Sequence, residues 1–231
     1  MDIMEAIEKR HSVRQYTGVP VSDEKAKVLL DAISSCNESG SLRFRLIRNE
    51  PEAFSSPLAK YGRFSGVMDY ISVAGPRSPD LGERCGYYGE RIVIEAQRAG
   101  LNTCWVGLTY RRIPGALSVG KEEKLLGVIA VGYGKTQGIP RRTKSVSDIC
   151  DIRGDEPEWF FIGLRSVLLA PTAMNQQKFR FSYADGMVTA DPGHGFYTNT
   201  DLGIAKYHFE TASGKGPEIW KLRRKKCPSH C

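Results

Sequence analysis

The order helix, loop, strand occurs twice along this chain, and this repetition restricts the architecture more than any other sequence feature. The amphipathic residues 23–35 are followed, after a polar loop, by residues 42–46, which alternate apolar and basic side chains as a half-buried strand does. In the later part of the chain, the helical pattern of residues 158–169 precedes an alternating segment at residues 178–181. The sequence therefore predicts two units of similar build.

Two glycine-bracketed helical segments of equal length, Gly89 to Gly100 and Gly203 to Gly214, extend the repeat. We predict an N-terminal half at residues 1–152, a shorter C-terminal half at 153–220 and a basic tail at 221–231. Sequence identity between the halves is low, so the repeat by itself is also compatible with chance.

The composition is that of a globular protein with one large domain or two small ones. The chain has 231 residues, 41% hydrophobic and 26% charged. It begins with acidic residues rather than an apolar leader, and no apolar run reaches the length of a membrane span, so a cytoplasmic protein with no membrane contact is expected. In that compartment the cysteines are expected to be reduced thiols: Cys36, Cys85, Cys104, Cys150, Cys227 and Cys231.

The basic charge is concentrated at the C-terminus. Of the net charge of +7, five units come from Lys221, Arg223, Arg224, Lys225 and Lys226, which leaves about +2 for residues 1–220. A body so close to neutrality has no broad face for a phosphate backbone, and we therefore expect no nucleic-acid partner.

A basic arm, residues 10–14, follows the short helical pattern of residues 2–9. Arg10, Ser12 and Arg14 are spaced so that two guanidinium groups and a hydroxyl can converge on one anion, and arginine matches phosphate geometry well. An isolated motif of this kind is more often a solvated surface feature, so its interpretation depends on the rest of the chain.

Three segments together resemble the nitroreductase family of FMN-dependent oxidoreductases. The segment from Ile7 through Arg10-His11-Ser12-Val13-Arg14 to Tyr16 resembles the family's phosphate-binding signature. Residues 103–107, Thr-Cys-Trp-Val-Gly, are similar to its Gly-Thr-Cys-Trp-Ile-Gly segment, which passes near the flavin ring. Residues 170–177, Ala-Pro-Thr-Ala-Met-Asn-Gln-Gln, resemble its Ala-Pro-Ser-x-x-Asn-x-Gln segment, with Thr for Ser and Gln-Lys for the usual Gln-Pro-Trp.

In a typical family homodimer, one subunit brings the phosphate arm and its partner the Ala-Pro-Ser segment. Here the N-terminal half has the arm and the C-terminal half has the segment at residues 170–177, so each half keeps what the other lacks. The chain thus resembles the tandem, single-chain branch of the family, a pseudo-dimer with one flavin site. The resemblance implies an α+β fold with two unequal half-repeats, each with a mixed sheet packed by helices, as a monomeric pseudo-dimer or a homodimer.

The resemblance also implies which residues hold FMN. Arg10, Ser12 and Arg14 would hold the phosphate together with the His11 backbone, and Arg141 and Arg142 lie where the family often has a further phosphate contact, although a solvated loop is an equal alternative. The flavin ring would contact hydroxyl and amide donors on the loop at residues 170–177, which Pro171 stiffens, and the segment at residues 103–107. The residues expected near the ring are Thr103, Trp105, Gly107, Pro171, Thr172 and Asn175. Without the resemblance, Trp105 would be ordinary core and residues 170–172 a plain helix terminus.

The expected activity is two-electron reduction of a small organic acceptor, nitroaromatic or quinone-like, by NADH or NADPH through FMN in a ping-pong cycle. No residue is assigned a catalytic role, because the flavin carries the chemistry. No metal site is expected, since Cys227, His230 and Cys231 lack a fourth ligand. A flavin-binding protein of this fold without turnover is the alternative.

Overall fold

A computed structural model describes residues 1–221, so Cys227, His230, Cys231 and most of the basic tail lie outside the described residues. The helices are α1 (Ile3–Lys9), α2 (Asp23–Gly40), α3 (Pro57–Tyr61), α4 (Leu81–Arg98), α5 (Val146–Ile149), α6 (Glu158–Val167) and α7 (Thr198–Ser213). The strands are β1 (Arg45–Ile47), β2 (Asp69–Pro76), β3 (Asn102–Val106), β4 (Glu123–Gly132), β5 (Arg180–Ala184) and β6 (Met187–Asp191). Short 3-10 turns occur at Glu52–Phe54, Ala173–Asn175 and Pro217–Ile219.

The strands form a four-stranded sheet in the order β1-β2-β4-β3 and a separate hairpin of β5 and β6. Every ladder between these strands is antiparallel. The predicted α+β class is therefore confirmed, but the expected mixed sheets are antiparallel. In the described part of the chain, parallel pairing is limited to isolated bridges such as that of Ser12 with Thr103. The reason is connectivity: β2 and β4 are neighbours with opposite directions, and a two-residue turn at Asp185 and Gly186 joins β5 to β6.

Local sequence signals set most element ends. The side chains of Asp2 and Ser22 accept hydrogen bonds from the first turns of α1 and α2. The charged run at residues 121–126 predicts a short helix from the sequence alone, and this prediction is wrong, because Glu123 starts β4. There Leu125 is buried and pairs with Ala74 of β2, so sheet formation overrides the helical preference of this charged segment.

The two long helices α4 and α7 pack side by side in a parallel arrangement. Gly82 lies beside Asn199, Glu83 pairs with Lys206, and Glu90 contacts His208, so residue numbers rise together along both helices. Their backbones approach so closely that a Cβ on Gly86 would lie 2.0 Å from the Thr200 carbonyl oxygen, and one on Gly203 would lie 1.9 Å from that of Glu83. This close contact joins the N-terminal and C-terminal parts of the chain.

The hydrophobic core is divided between the two faces of the four-stranded sheet and the helices around the hairpin. The core of the C-terminal part contains Phe160, Phe181 and Phe209, and it also takes in Ile149 and Cys150. Thus residues just before the predicted boundary at 152 pack with the C-terminal part. Among residues 1–221, no helix is long and apolar enough to cross a membrane.

Candidate functional site

The basic arm lies along strand β3. Ser12 forms a parallel bridge with Thr103, and the Val13 amide donates to the Thr103 carbonyl oxygen at 3.0 Å. Burial raises the pKa of the Cys104 thiol, whereas Arg14, the Ser12 hydroxyl and Arg10 oppose that rise. The structure thus brings three arm residues together beside the segment that resembles the family's ring-contact strand, with Ser12 and Arg14 exposed to solvent.

Arg10 occupies a different environment from the other arm residues. Its side chain is only 3% exposed, and its Nε lies 3.6 Å from the Glu90 carboxylate of α4, which is fully buried. The Nη2 group donates to the Leu169 carbonyl oxygen at a long 3.5 Å, and Nε makes no hydrogen bond to any of residues 1–221. Arg10 therefore joins the arm to both parts of the chain, and it retains an unsatisfied donor.

The buried Glu90 carboxylate binds side chains of β3 and α7. Its Oε2 accepts from Trp105 Nε1 at 2.9 Å, and its Oε1 lies 3.0 Å from His208 Nε2. His208 Nδ1 is 3.1 Å from the Ser166 carbonyl oxygen, so both ring nitrogens face acceptors.

The charge of Glu90 follows from competing effects. Burial opposes its ionisation, but the hydrogen bond from His208 and the charge of Arg10 outweigh burial and hold the pKa of Glu90 below its ordinary value. Trp105 is thus a half-buried hydrogen-bond donor within this network, and its ring fills the space beside Gly89, where a Cβ would lie 2.4 Å away. Its indole therefore faces α4 and Glu90.

Arg141 ties the loop after β4 to the C-terminal end of α6. Its guanidinium donates to the carbonyl oxygens of Leu169 at 3.2 Å and Leu168 at 3.0 Å, and also to that of Ala170. Its Nε donates to Asn175 Oδ1 at 2.7 Å. Arg141 therefore binds the unsatisfied carbonyls of a helix end and positions the segment that follows.

Residues 172–177 form a compact loop held by that connection. Asn175 Nδ2 donates to the Arg142 carbonyl oxygen at 2.8 Å, and Gln177 Nε2 donates to the same oxygen at 3.2 Å. The Thr172 hydroxyl accepts from the Gln177 amide at 3.2 Å. The polar groups of Thr172 and Asn175 thus have protein partners, Pro171 is buried, and the Arg142 side chain is exposed.

Positive charge is in excess where the arm meets this loop. Burial and then the neighbouring Arg10 lower the pKa of Arg141 to about 10, with Glu90 acting in the opposite direction. Burial, followed by Arg10 and Arg141, also lowers the pKa of His11. Two guanidinium groups thus lie near one buried carboxylate, Glu90, which only Arg10 of the two contacts and which His208 also contacts, with a donor of Arg10 unsatisfied within residues 1–221. This arrangement fits a phosphate group, because an anion would balance the charge and accept hydrogen bonds from the exposed Ser12 and Arg14.

Gly107 lies apart from the arm, beyond the other end of β3. A Cβ on Gly107 would lie 2.6 Å from the ring of Tyr197, whose hydroxyl donates to the carbonyl oxygens of Gly107 at 3.1 Å and Leu126 at 3.3 Å. Gly107 and Tyr197 both line a cavity of about 850 Å³. The sequence-predicted residues therefore occupy the two ends of β3, with Thr103 at the arm and Gly107 at the cavity.

Several residues of this region were missed from the sequence. Glu90 and His208 are buried partners across α4 and α7, and Asp201 binds the 172–177 loop by accepting from the Ala173 amide at 2.9 Å and from Gln176 Nε2 at 2.6 Å. The available signal was a single charged or titratable residue on an otherwise apolar helix face. Within residues 1–221, no group of three or more His, Cys, Asp or Glu side chains could hold a metal ion.

The family relationship is established by sequence. The family model described as "Putative TM nitroreductase" matches residues 2–213. The chain therefore belongs to this nitroreductase family, as the motifs predicted. A comparison with curated proteins finds no match.

Solved structures show the same fold. A "putative nitroreductase" of Thermotoga maritima has a TM-score of 0.64 at 22% identity, covering 92% of this chain and 83% of that one. Structures from Desulfovibrio desulfuricans and Exiguobacterium sibiricum, each described as a complex with FMN, both have TM-scores of 0.52 at 20% identity. They cover 68% and 66% of this chain, respectively, and 98% of their own chains. The family and these complexes together support a flavin oxidoreductase.

Proposed function

We propose that this chain is an FMN-dependent oxidoreductase in which the arm region binds the phosphate of the flavin. The observation that carries this proposal is the excess of positive charge around Arg10 and Arg141, with one buried arginine donor unsatisfied. FMN, when bound, would supply hydride chemistry that the side chains themselves lack.

The exposed Ser12 and Arg14 are the residues best placed for direct phosphate contact, with Arg142 as a further exposed cation. The buried Arg10 and the hydrogen-bonded Arg141 would add positive potential and hold the surrounding backbone. The side chains of Thr172 and Asn175 already bind protein groups, so in this proposal they shape the loop, and their contact with the ring would involve exchange of a hydrogen bond. Thr103, Trp105, Gly107 and Pro171 would form the wall along β3 and the loop.

The reductant in this proposal is NADH or NADPH, and the acceptor is a small nitroaromatic or quinone-like molecule, with the two reacting in turn by a ping-pong cycle. The proposed phosphate site includes Arg10 from the N-terminal half and the 170–177 segment from the C-terminal half, so one chain supplies both parts as a pseudo-dimer. A cytoplasmic location is part of the proposal, and the four described cysteines are free and buried, consistent with reduced thiols.

Anaerobic mixing with NADH or NADPH tests the proposal. The protein is first equilibrated with FMN and desalted, and its visible flavin absorbance is recorded during the addition. We expect bleaching by at least one nucleotide and return of the absorbance when a quinone is added. A protein that retains flavin but is bleached by neither nucleotide would support a binding protein without turnover instead.

A further inference from the structure

A cavity distinct from the arm lies at the other end of β3. It has a volume of about 850 Å³, large enough for a small organic molecule, and it opens between the N-terminal ends of α4 and α7 and the start of β4. Gly107 lies on its wall, whereas none of the arm residues 10–14 does.

The charged side chains that line this cavity are all cationic. They are Arg77, Arg112 and Lys124, each exposed and none in an ion pair with a carboxylate of residues 1–221. The neighbouring Asp80 is engaged elsewhere, since its Oδ2 accepts from Arg84 Nε at 3.0 Å. A concave surface with three unpaired cations attracts organic anions.

Two helix ends add to this potential. Because α4 and α7 are parallel, their positive N-terminal ends meet at the cavity, where Gly82, Thr198, Asn199 and Thr200 are part of the wall. Neither N-cap residue, Asp80 or Tyr197, accepts a hydrogen bond from its helix through its side chain. The helix ends therefore favour a bound anion, as the three cationic side chains do.

The remaining wall is apolar and open to solvent. Leu108 is 72% exposed and Phe196 is 88% exposed, both unusual for such side chains. Tyr197, also on this wall, is fixed by its hydrogen bonds to Gly107 and Leu126. A ligand with both an anionic group and a flat apolar ring would match the two kinds of wall.

We propose that this cavity binds a small aromatic anion, a ring carrying a carboxylate or phosphate group. The anionic group faces Arg112 and Lys124, and the ring lies against Leu108 and Phe196. That this anion is the electron acceptor rests on the proposed flavin function, whereas the binding itself does not.

Calorimetry with benzoate and its uncharged analogue benzamide tests the binding, because the two probes differ mainly in charge. We expect benzoate to bind the full chain more tightly than benzamide does. The double variant Arg112→Gln/Lys124→Gln should weaken benzoate binding by about tenfold or more and leave benzamide unchanged. As a control, Arg43→Gln removes an exposed cation that pairs with Glu123 outside the cavity and should change neither affinity.

Inorganic phosphate and phenyl phosphate separate the two sources of negative charge. If phenyl phosphate displaces benzoate at a much lower concentration than inorganic phosphate does, the result would support one site that binds both the ring and the anionic group. Equal affinities for benzoate and benzamide, or loss of benzoate binding in Arg43→Gln, would overturn the proposal.

Flavin retention distinguishes this cavity from the cofactor site. The Arg112→Gln/Lys124→Gln variant should keep FMN after desalting, whereas loss of FMN would mean that the cavity holds the flavin phosphate and would refute the inference. In turnover, the same variant should raise KM for 4-nitrobenzoate relative to 4-nitrobenzamide. If no turnover occurs with any acceptor, the flavin function fails, and the benzoate measurement still decides the cavity proposal.

Discussion

At the scale of single residues, Glu90 connects the arm, the helices and β3 through one carboxylate. It contacts Arg10, Trp105 and His208, all from different parts of the sequence, and it is fully buried. Removal of one charge from such a network leaves the others buried without compensation, which costs more than the network itself contributes.

Glu90→Gln should therefore destabilise the fold by about 3–5 kcal/mol, because the buried Arg10 loses its anion and Trp105 and His208 lose a charged hydrogen-bond partner. Urea unfolding followed by circular dichroism measures the change. Glu95→Gln on the same helix is the control, since the Glu95 carboxylate forms a partly exposed ion pair with Arg98, and it should cost about 1 kcal/mol or less. An equal effect of both substitutions would show that the buried network does not stabilise the fold.

Asp201 makes the stability of the folded state depend on pH. Burial raises the pKa of Asp201 to about 6, although the Ala173 amide and Gln176 favour its charged form. The folded state thus holds this proton more tightly than the unfolded state does, so the contribution of Asp201 to stability is present below about pH 4 and is lost as the pH rises to about 6.

Asp201→Asn removes this titration. The free energy of unfolding of the variant minus that of the unmodified protein should rise by about 2 kcal/mol between pH 4 and pH 7, because only the unmodified protein loses the stabilising proton. Unfolding in urea at several pH values provides the comparison. A difference between the two proteins that stays constant over this pH range would contradict the assigned pKa of Asp201.

At the scale of elements, the contact between α4 and α7 depends on glycines. A methyl group on Gly86 would meet the backbone at Thr200, which cannot move aside as a flexible side chain could. In an exposed helix, replacing glycine by alanine would instead stabilise the helix by about 1 kcal/mol. A loss of stability would therefore indicate the close contact between the helices, and a gain would indicate its absence.

Gly86→Ala should lower the free energy of unfolding by about 1–3 kcal/mol or more. Gly82→Ala on the same helix is the matched control, because its Cβ would lie 3.1 Å from the Asn199 Cβ and a small shift relieves the contact. Thermal unfolding of both variants measures the difference. If Gly86→Ala proves as stable as Gly82→Ala, the helices do not pack as described.

Element type followed from the sequence where periodicity and caps agreed, as in α1 and α2. It failed at residues 121–126, because the charged Lys-Glu-Glu-Lys run is helical by local preference and becomes a strand only through its partner β2. The arm, β3 and the 170–177 loop were identified by their motifs. Glu90 and His208 were not, because one titratable residue on an apolar helix face does not show which distant residue it contacts.

At the scale of the whole molecule, the candidate site depends on both parts of the chain. The arm comes from the N-terminal part, and Leu169 and Asn175 come from the C-terminal part, with Arg141 connected to both residues. The proposed division at residue 152 therefore separates two units that are incomplete alone. An exposed arm arginine tests the site better than Arg10, since loss of the buried Arg10 would also disturb the fold.

The most direct measurement is the visible absorbance of the protein after equilibration with FMN and desalting, for the unmodified chain, Arg14→Gln and Arg43→Gln. We predict retained flavin bands in the unmodified chain and in Arg43→Gln, and a loss of about tenfold or more in FMN affinity in Arg14→Gln, because a charge-assisted contact to phosphate is removed. A folded, colourless unmodified protein, or equal retention by all three, would contradict a flavin phosphate site at the arm.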